Sequence, residues 1–318
     1  MELSVYTIQV LQDLMIVVLA PFVSGAISHL EARIQGRRGP RILQPYYELA
    51  KLFRKETLVP EDASWVFLAA PVVAFTCYLI VPLLIPELTT FGLPLSYMGD
   101  ILGGAFFLVL ASFSISVAAA ETGGPYAQLG SSRAITFAGL IEPTILLVTF
   151  VVAIITTTDL PFAEAATARA SLGQAVRPSH LLAAVAFFLA VLSDTGRIPV
   201  ETHTSTLELG MIDEARTLEH SGPALALLEW GSAMKQLILY VLLINVFAAP
   251  WGLSSTRDAA SVLLAIPIFV GKALGVGFLF TLIDNSFSKL RLFKITELMA
   301  AAFLLAVLAI FVLYVGHA

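Results

Sequence analysis

Charge is what this sequence has least of. Only 13% of its 318 residues are Asp, Glu, Lys or Arg, where a soluble domain carries about a quarter. A chain of this length could not cover a water-facing surface with so few charges. A soluble enzyme and a disordered chain are therefore excluded. The charges present leave a net of −5, which excludes a nucleic-acid-binding module and points to no polyanionic partner. Cysteine is nearly absent. Cys77 is the single one, so a disulfide framework and a Cys-ligated Fe–S or zinc site within the chain are excluded. Its apolar surroundings suit a small core residue. The first 30 residues do not read as a secretory signal either: no basic segment precedes the apolar run, which is too long for a signal core.

What is abundant is apolar. Hydrophobic residues make up 58% of the chain and the mean hydropathy is +0.88. The apolar runs are continuous rather than alternating, which predicts spanning helices and not a β-barrel. A span needs about 20 mostly apolar residues. Eight are expected, at roughly 5–30, 63–86, 98–121, 135–157, 179–196, 223–249, 260–284 and 295–315. The predicted class is all-α, a polytopic bundle in one membrane domain over residues 1–318. No repeat and no Gly/Ser linker divides it.

Lys and Arg number 7, 1, 2 and 3 in the first, third, fifth and seventh loops, and 3 in total on the other side. By the positive-inside rule the odd loops are cytoplasmic and both termini lie outside. Seven basic residues in loop one exceed what orientation requires, and two readings stay open: a positive-inside anchor or a docking site for a cytoplasmic partner. Within this loop Gly39-Pro40 ends the first helix, and Pro45 suits the first turn of another. Ile42, Tyr46, Leu49 and Phe53 recur at helical spacing, with Gln44, Glu48, Lys51 and Lys55 mostly away from them. That pattern predicts an amphipathic helix lying on the membrane surface.

Loop five carries acids where a membrane protein has no need of them. It runs from Asp194 and Arg197 through Glu201, Glu208, Asp213, Glu214 and Arg216 to Glu219 and His220. A solvated loop would account for the charges. The interleaved Leu207, Leu209, Met211, Ile212 and Leu218 suggest instead a segment folded into a cavity or under a partner. His203 and His220 lack the spacing of a metal motif. Asp13, Glu142, Glu229, Lys235 and Lys272 lie within apolar runs, and Glu121, Asp284 and Glu297 at span ends. A charge at the bilayer centre costs at least about 2.5–3.5 kcal/mol. Such residues either pair between helices or form a proton path, and their number in one chain favours the path.

At these residues the chain resembles a known family: subunit 1 (or H) of respiratory complex I and subunit 4 of formate hydrogenlyase. The resemblance covers nearly the whole chain. It rests on Arg33-Ile34-Gln35-Gly36-Arg37-Arg38-Gly39-Pro40 with Leu43-Gln44 and Lys51-Leu52, and on Ser132-Arg133 with Glu142-Pro143. Asp194-Thr195-Gly196-Arg197-Ile198-Pro199 follows, then Glu208-Leu209, Glu219-His220-Ser221-Gly222 and Asp284-Asn285. Complex I subunits typically carry a short insert after the Gly-Pro. Here Gly39-Pro40 runs directly to Gln44, and Thr122-Gly123-Gly124-Pro125 precedes Ser131-Ser132-Arg133. Both features resemble the branch of group 4 membrane-bound NiFe hydrogenases. In loop five Thr204 and Thr206 stand where acids are common, Asp194 replaces the more frequent Glu, and a few extra residues precede Glu219. These departures weigh against the quinone site of complex I.

The resemblance implies an anchoring and coupling subunit that holds no cofactor itself. Its partners would be the lipid bilayer, hydrogenase-like large and small subunits, an Fe–S subunit and antiporter-like membrane subunits. The partners would carry the Fe–S clusters and a NiFe or former NiFe site. The expected location is a bacterial or archaeal cytoplasmic membrane. The expected proton (or Na+) path comprises Glu142, Asp194, Glu201, Glu208, Glu229, Lys235 and Asp284. Arg33, Arg37, Arg38, Arg133 and Arg197 are expected to dock partners or balance those acids. The alternatives are an NADH-quinone oxidoreductase subunit with a quinone chamber, a stand-alone ion transporter and a purely structural anchor.

Overall fold

The computed structural model describes residues 4–61, 63–156, 177–196, 213–249, 251–286 and 292–317. They form helices α1 (Val5–Ile34), α2 (Gln44–Leu52), α3 (Trp65–Leu84), α4 (Asp100–Glu121), α5 (Pro125–Thr156), α6 (Pro178–Asp194), α7 (Asp213–Thr217), α8 (Gly222–Leu242), α9 (Ala259–Ser286) and α10 (Leu292–His317). Seven of these, counting α8 with the π-helical turn Leu243–Ala248 that extends it, are long and apolar enough to cross a membrane. The eighth expected span is α6. Its 17 residues make it the shorter apolar helix among the described residues. The expected spans therefore all coincide with helices, and the chain is a multi-pass membrane protein. The largest difference is α5, which begins at Pro125 rather than near 135. Its first turns hold Gln128, Ser131, Ser132 and Arg133, which dilute the apolar signal but remain helical because α4 and α7 pack on them.

Prolines inside these helices free backbone carbonyls, and in a bilayer those must be satisfied by protein. Pro21 has no N–H for Val17. The Trp230 indole of α8 donates to the Val17 carbonyl instead, at 2.9 Å. The Tyr46 hydroxyl of the surface helix donates to the next carbonyl, Val18. The last carbonyls of α3 are met in the same way. Gln12 Nε2 donates to Pro82 and Ile85, and Gln9 Nε2 to Leu83, each at 2.7 Å. Thus the proline break of α1 and the C-terminal end of α3 are both built into helix–helix contacts.

The surface helix α2 matches expectation. Pro45 lies in its first turn and Leu49 is its buried residue. Phe53 follows the helix and meets Trp230 edge-on at 6.2 Å. Gly25 of α1 lets this helix settle. A Cβ there would collide with the Ile42 carbonyl and come within 2.9 Å of the Pro45 ring. The bundle core is built around α1, α3, α5, α6 and α8, while rows such as Val10, Leu14 and Val18 on α1 face outward.

Candidate functional site

The bundle has two distinct ends. At one end lie loop one, the α4–α5 turn, the end of α6, α7 and the start of α8. A cavity of about 510 Å3 opens there beneath α2. Its walls come from α1, α2, α7 and α8, and its lining includes Asp194, Arg216, Glu229 and Lys235.

Asp194 sits in the last turn of α6. Gly196 then adopts φ +64°, the left-handed conformation that ends helices, and its N–H reaches the Ser193 carbonyl at 3.3 Å. An anion in a last turn faces the negative end of the helix dipole, which is unfavourable. Lys235, from the middle of α8, offsets this with its Nζ 2.7 Å from Asp194 Oδ1. Both side chains are largely buried, 15% and 16% exposed.

Glu142 of α5 joins the pair. Ser112 of α4 hydrogen-bonds its carboxyl, and the charges of Lys235, Asp194 and Arg216 act on it. The short helix α7 delivers Arg216, whose Nη1 donates to Ser116 Oγ of α4 at 3.0 Å. Ser116 closes the arrangement, since its carbonyl accepts from Ser131 of α5 at 2.6 Å. Two acids and two bases from four helices thus form one compensated network beside the cavity. A proton moved between members changes which pair is neutral without leaving a net buried charge.

The other expected residues are placed differently. Glu229 lies on α8 but is exposed, facing Glu48 of α2 across the cavity mouth. Asp284 is half-buried near the end of α9 and does not line the cavity. Glu201, Glu208 and Arg197 lie outside the described residues. Arg33, Arg37 and Arg38 are exposed, as are Arg41, Lys51, Arg54 and Lys55, so the whole basic set of loop one is presented to solvent. Arg133 is half-buried in α5. Among the described residues no group of His, Cys, Asp and Glu could hold a metal ion.

Two residues of this end were not among the expected path or docking residues. Arg216 was one charge among many in loop five. His220 is buried and stacks flat on Phe67, with centroids 4.0 Å apart, and neither ring nitrogen has a partner. Burial lowers its pKa to about 4. Next to it, the Ser221 hydroxyl accepts from Leu58 N–H at 2.7 Å, and Gly222, at φ +56°, lies against the Glu56 carbonyl. The Glu219-His220-Ser221-Gly222 motif is therefore the clasp that fastens loop one to the start of α8.

Comparison with known proteins agrees with this architecture. The NADH dehydrogenase family matches residues 6–315. Formate hydrogenlyase subunit 4 of Escherichia coli (strain K12) is 30% identical over 89% of this chain and 90% of its own length. Hydrogenase-4 component C of the same organism is 28% identical over 94% and 92%. An NADH-quinone oxidoreductase subunit of Syntrophotalea carbinolica is 27% identical over 87% and 84%. Among solved structures, a chain of membrane-bound sulfane sulfur reductase, an archaeal respiratory membrane complex, shares the fold. Its TM-score is 0.78 over 96% of this chain and 100% of that one, at 20% identity.

Proposed function

Because this chain belongs to the NADH dehydrogenase family, we propose that it is the membrane-anchoring and coupling subunit of a complex I-like, formate hydrogenlyase-type hydrogenase. The observation that carries the reading is the Glu142–Asp194–Lys235–Arg216 network beside a cavity, directly under an exposed basic loop. Loop one, with Arg33, Arg37 and Arg38, docks a cytoplasmic arm that carries the Fe–S clusters and the NiFe site. A redox-linked change at the cavity alters the field on Asp194 and Lys235, and the network answers by shifting a proton toward Glu142. Glu201, Glu208 and Arg197 extend this set within loop five, while Glu229 takes up protons at the cavity mouth. The chain holds no redox centre itself. It lies in the cytoplasmic membrane with loop one inside and both termini outside, as one membrane domain beside antiporter-like subunits.

Two measurements test this. Gentle purification of the tagged chain should recover partner subunits with iron–sulfur clusters and nickel. Recovery of a lone, stable, cofactor-free protein would refute it. In the intact complex, Glu142→Gln or Lys235→Met should abolish redox-driven proton uptake while assembly persists. Unchanged uptake in both would reduce the network to a structural device.

A second reading has one observation in its favour. The cavity volume falls within the range of small-molecule sites, about 300–1,000 Å3. A quinone could occupy it, as in an NADH-quinone oxidoreductase. Inhibitor-sensitive quinone reduction that requires this chain would favour that reading.

A further inference from the structure

The end of the bundle opposite the cavity holds a second ionisable centre, of which the sequence singled out only Asp13. After α3 the chain passes through Pro86 and Glu87 into a strap that runs to α4. The strap is tied to the α8–α9 connection: Ser254 N–H donates to the Leu88 carbonyl at 2.9 Å, and Thr90 N–H to the Ser254 carbonyl at 3.0 Å. Ile85, Glu87, Leu88, Thr89 and Leu93 are all fully buried at 0% exposure. The strap therefore seals the Glu87 side chain from solvent.

Neither Glu87 carboxyl oxygen has a hydrogen-bond partner. Its neighbours are already committed. Gln12 spends its amide on the α3 carbonyls, and its Oε1 accepts from Leu88 N–H at 3.1 Å. Asn245, turned inward by the π-helical turn and 1% exposed, donates to the Glu87 backbone carbonyl at 3.1 Å. Its Oδ1 accepts from Lys272 Nζ of α9 at 2.9 Å, and Lys272 also holds the Ala249 carbonyl at 2.7 Å. The nearby ammonium is thus fixed on neutral acceptors. Asp13 of α1 adds a second carboxyl whose Oδ1 is buried without a partner, and its charge acts on Glu87. Asp100 and Asp258, on the flanking segments, have interactions of their own.

A sealed carboxylate with no donor or cation in contact and a second acid beside it is driven to the neutral form. Burial first, and Asp13 second, hold its pKa well above the ordinary carboxylate range. We propose that Glu87, with Asp13, is a proton-binding site at the end of the bundle remote from the Asp194–Lys235 network, and that Glu87 carries its proton at neutral pH. The proton is the ligand that fits, because the one change needed to satisfy an orphaned buried carboxylate is neutralisation. Asp13 is the acceptor through which the proton can be exchanged. The proton-binding claim stands on Glu87 and its surroundings. Its use as the exit station for translocated protons rests on the coupling reading above.

Infrared spectroscopy of the intact complex at neutral pH separates the two claims. The difference spectrum of wild type minus Glu87→Gln should show the carbonyl stretch of one protonated carboxylic acid, shifted in heavy water. Absence of that band from the difference spectrum would overturn the site. Should Glu87→Gln fail to assemble, Glu87→Asp keeps the test. It should move the band without removing it, and an unmoved band would overturn the assignment. For the exit role, Glu87→Gln should lose proton translocation while redox turnover continues. Normal translocation in Glu87→Gln, together with loss in Glu142→Gln, would overturn the exit role and leave the coupling reading standing. Normal translocation in both would refute the coupling reading and the exit role together, with the infrared band still deciding the site.

Discussion

Removing both partners of the Asp194–Lys235 pair should cost little more than removing either one. The pair lies at 2.7 Å. At an effective dielectric constant of about 20, the gross attraction is ~6 kcal/mol. Desolvating two ions opposes this by several kcal/mol each, so the intact pair contributes little net stability. Breaking it is different. Lys235→Met strands Asp194 in the last turn of α6, where the helix end is already negative. Such losses amount to about 3–5 kcal/mol. Since each side chain is about one-sixth exposed beside the cavity, the lower end, ~3 kcal/mol, is expected. Asp194→Asn removes the carboxylate in contact with Lys235 and should cost a similar amount.

The double variant Asp194→Asn/Lys235→Met leaves neither charge. Its destabilisation should fall short of the summed single effects by about 2–3 kcal/mol. The molecule supplies its own reporter: Cys77 is the single cysteine and is 4% exposed. Denaturant unfolding in detergent, followed by thiol labelling of Cys77, reads stability at one buried position on α3. Additive effects, or single variants as stable as wild type, would refute the claim that the two charges compensate each other.

Other perturbations probe the surrounding structure. His220 binds a proton near pH 6.5 when unfolded and near 4 when folded. The unfolded chain therefore holds more protons between these values, and stability should fall as pH drops from about 6.5 to 4, by up to ~3 kcal/mol. His220→Phe keeps a ring against Phe67 and should flatten that dependence in pH-resolved thermal unfolding; an unchanged profile would remove His220 as its cause. Gly25→Ala should push the Ile42–Pro45 segment off α1 and destabilise by about 1–3 kcal/mol, with faster proteolysis within loop one than in wild type. Trp230→Phe leaves the Val17 carbonyl without its donor and should cost about 1–3 kcal/mol by denaturant unfolding. Neutralising Arg33, Arg37 and Arg38 together should weaken recovery of partner subunits, most strongly at low salt where wild-type attraction is least screened, while leaving the chain's own folding intact. Unchanged recovery would remove loop one from the docking surface.

The spans were legible because a bilayer sets a length and a polarity that hydropathy reads directly. The start of α5 was not, since Gln128, Ser131, Ser132 and Arg133 are polar yet packed by α4 and α7. Individual charges were legible; their partners were not. Asp194 and Lys235 are 41 residues apart, and nothing local says that α6 ends beside the middle of α8. Arg216 looked like one more loop charge, and no motif or periodicity singles out Glu87. The burial of Glu87 comes from a strap that closes only when the α8–α9 connection lies across it.

Position within a span does not by itself distinguish a charge that serves the fold from one that carries a proton. Polar side chains of this bundle divide by what they hold. Trp230, Tyr46, Gln9 and Gln12 donate to backbone carbonyls that prolines or helix ends leave open. Lys272 does the same for Ala249. A lysine that caps a carbonyl holds that bond more strongly while charged, so its charge supports the fold. Asp194 and Lys235 hold each other, Glu142 holds Ser112, and the Glu87 carboxyl holds nothing. Their protons can move without opening a helix. The candidates for a moving proton are therefore the buried groups whose loss or gain of charge costs no backbone hydrogen bond, and they lie at the two ends of one bundle.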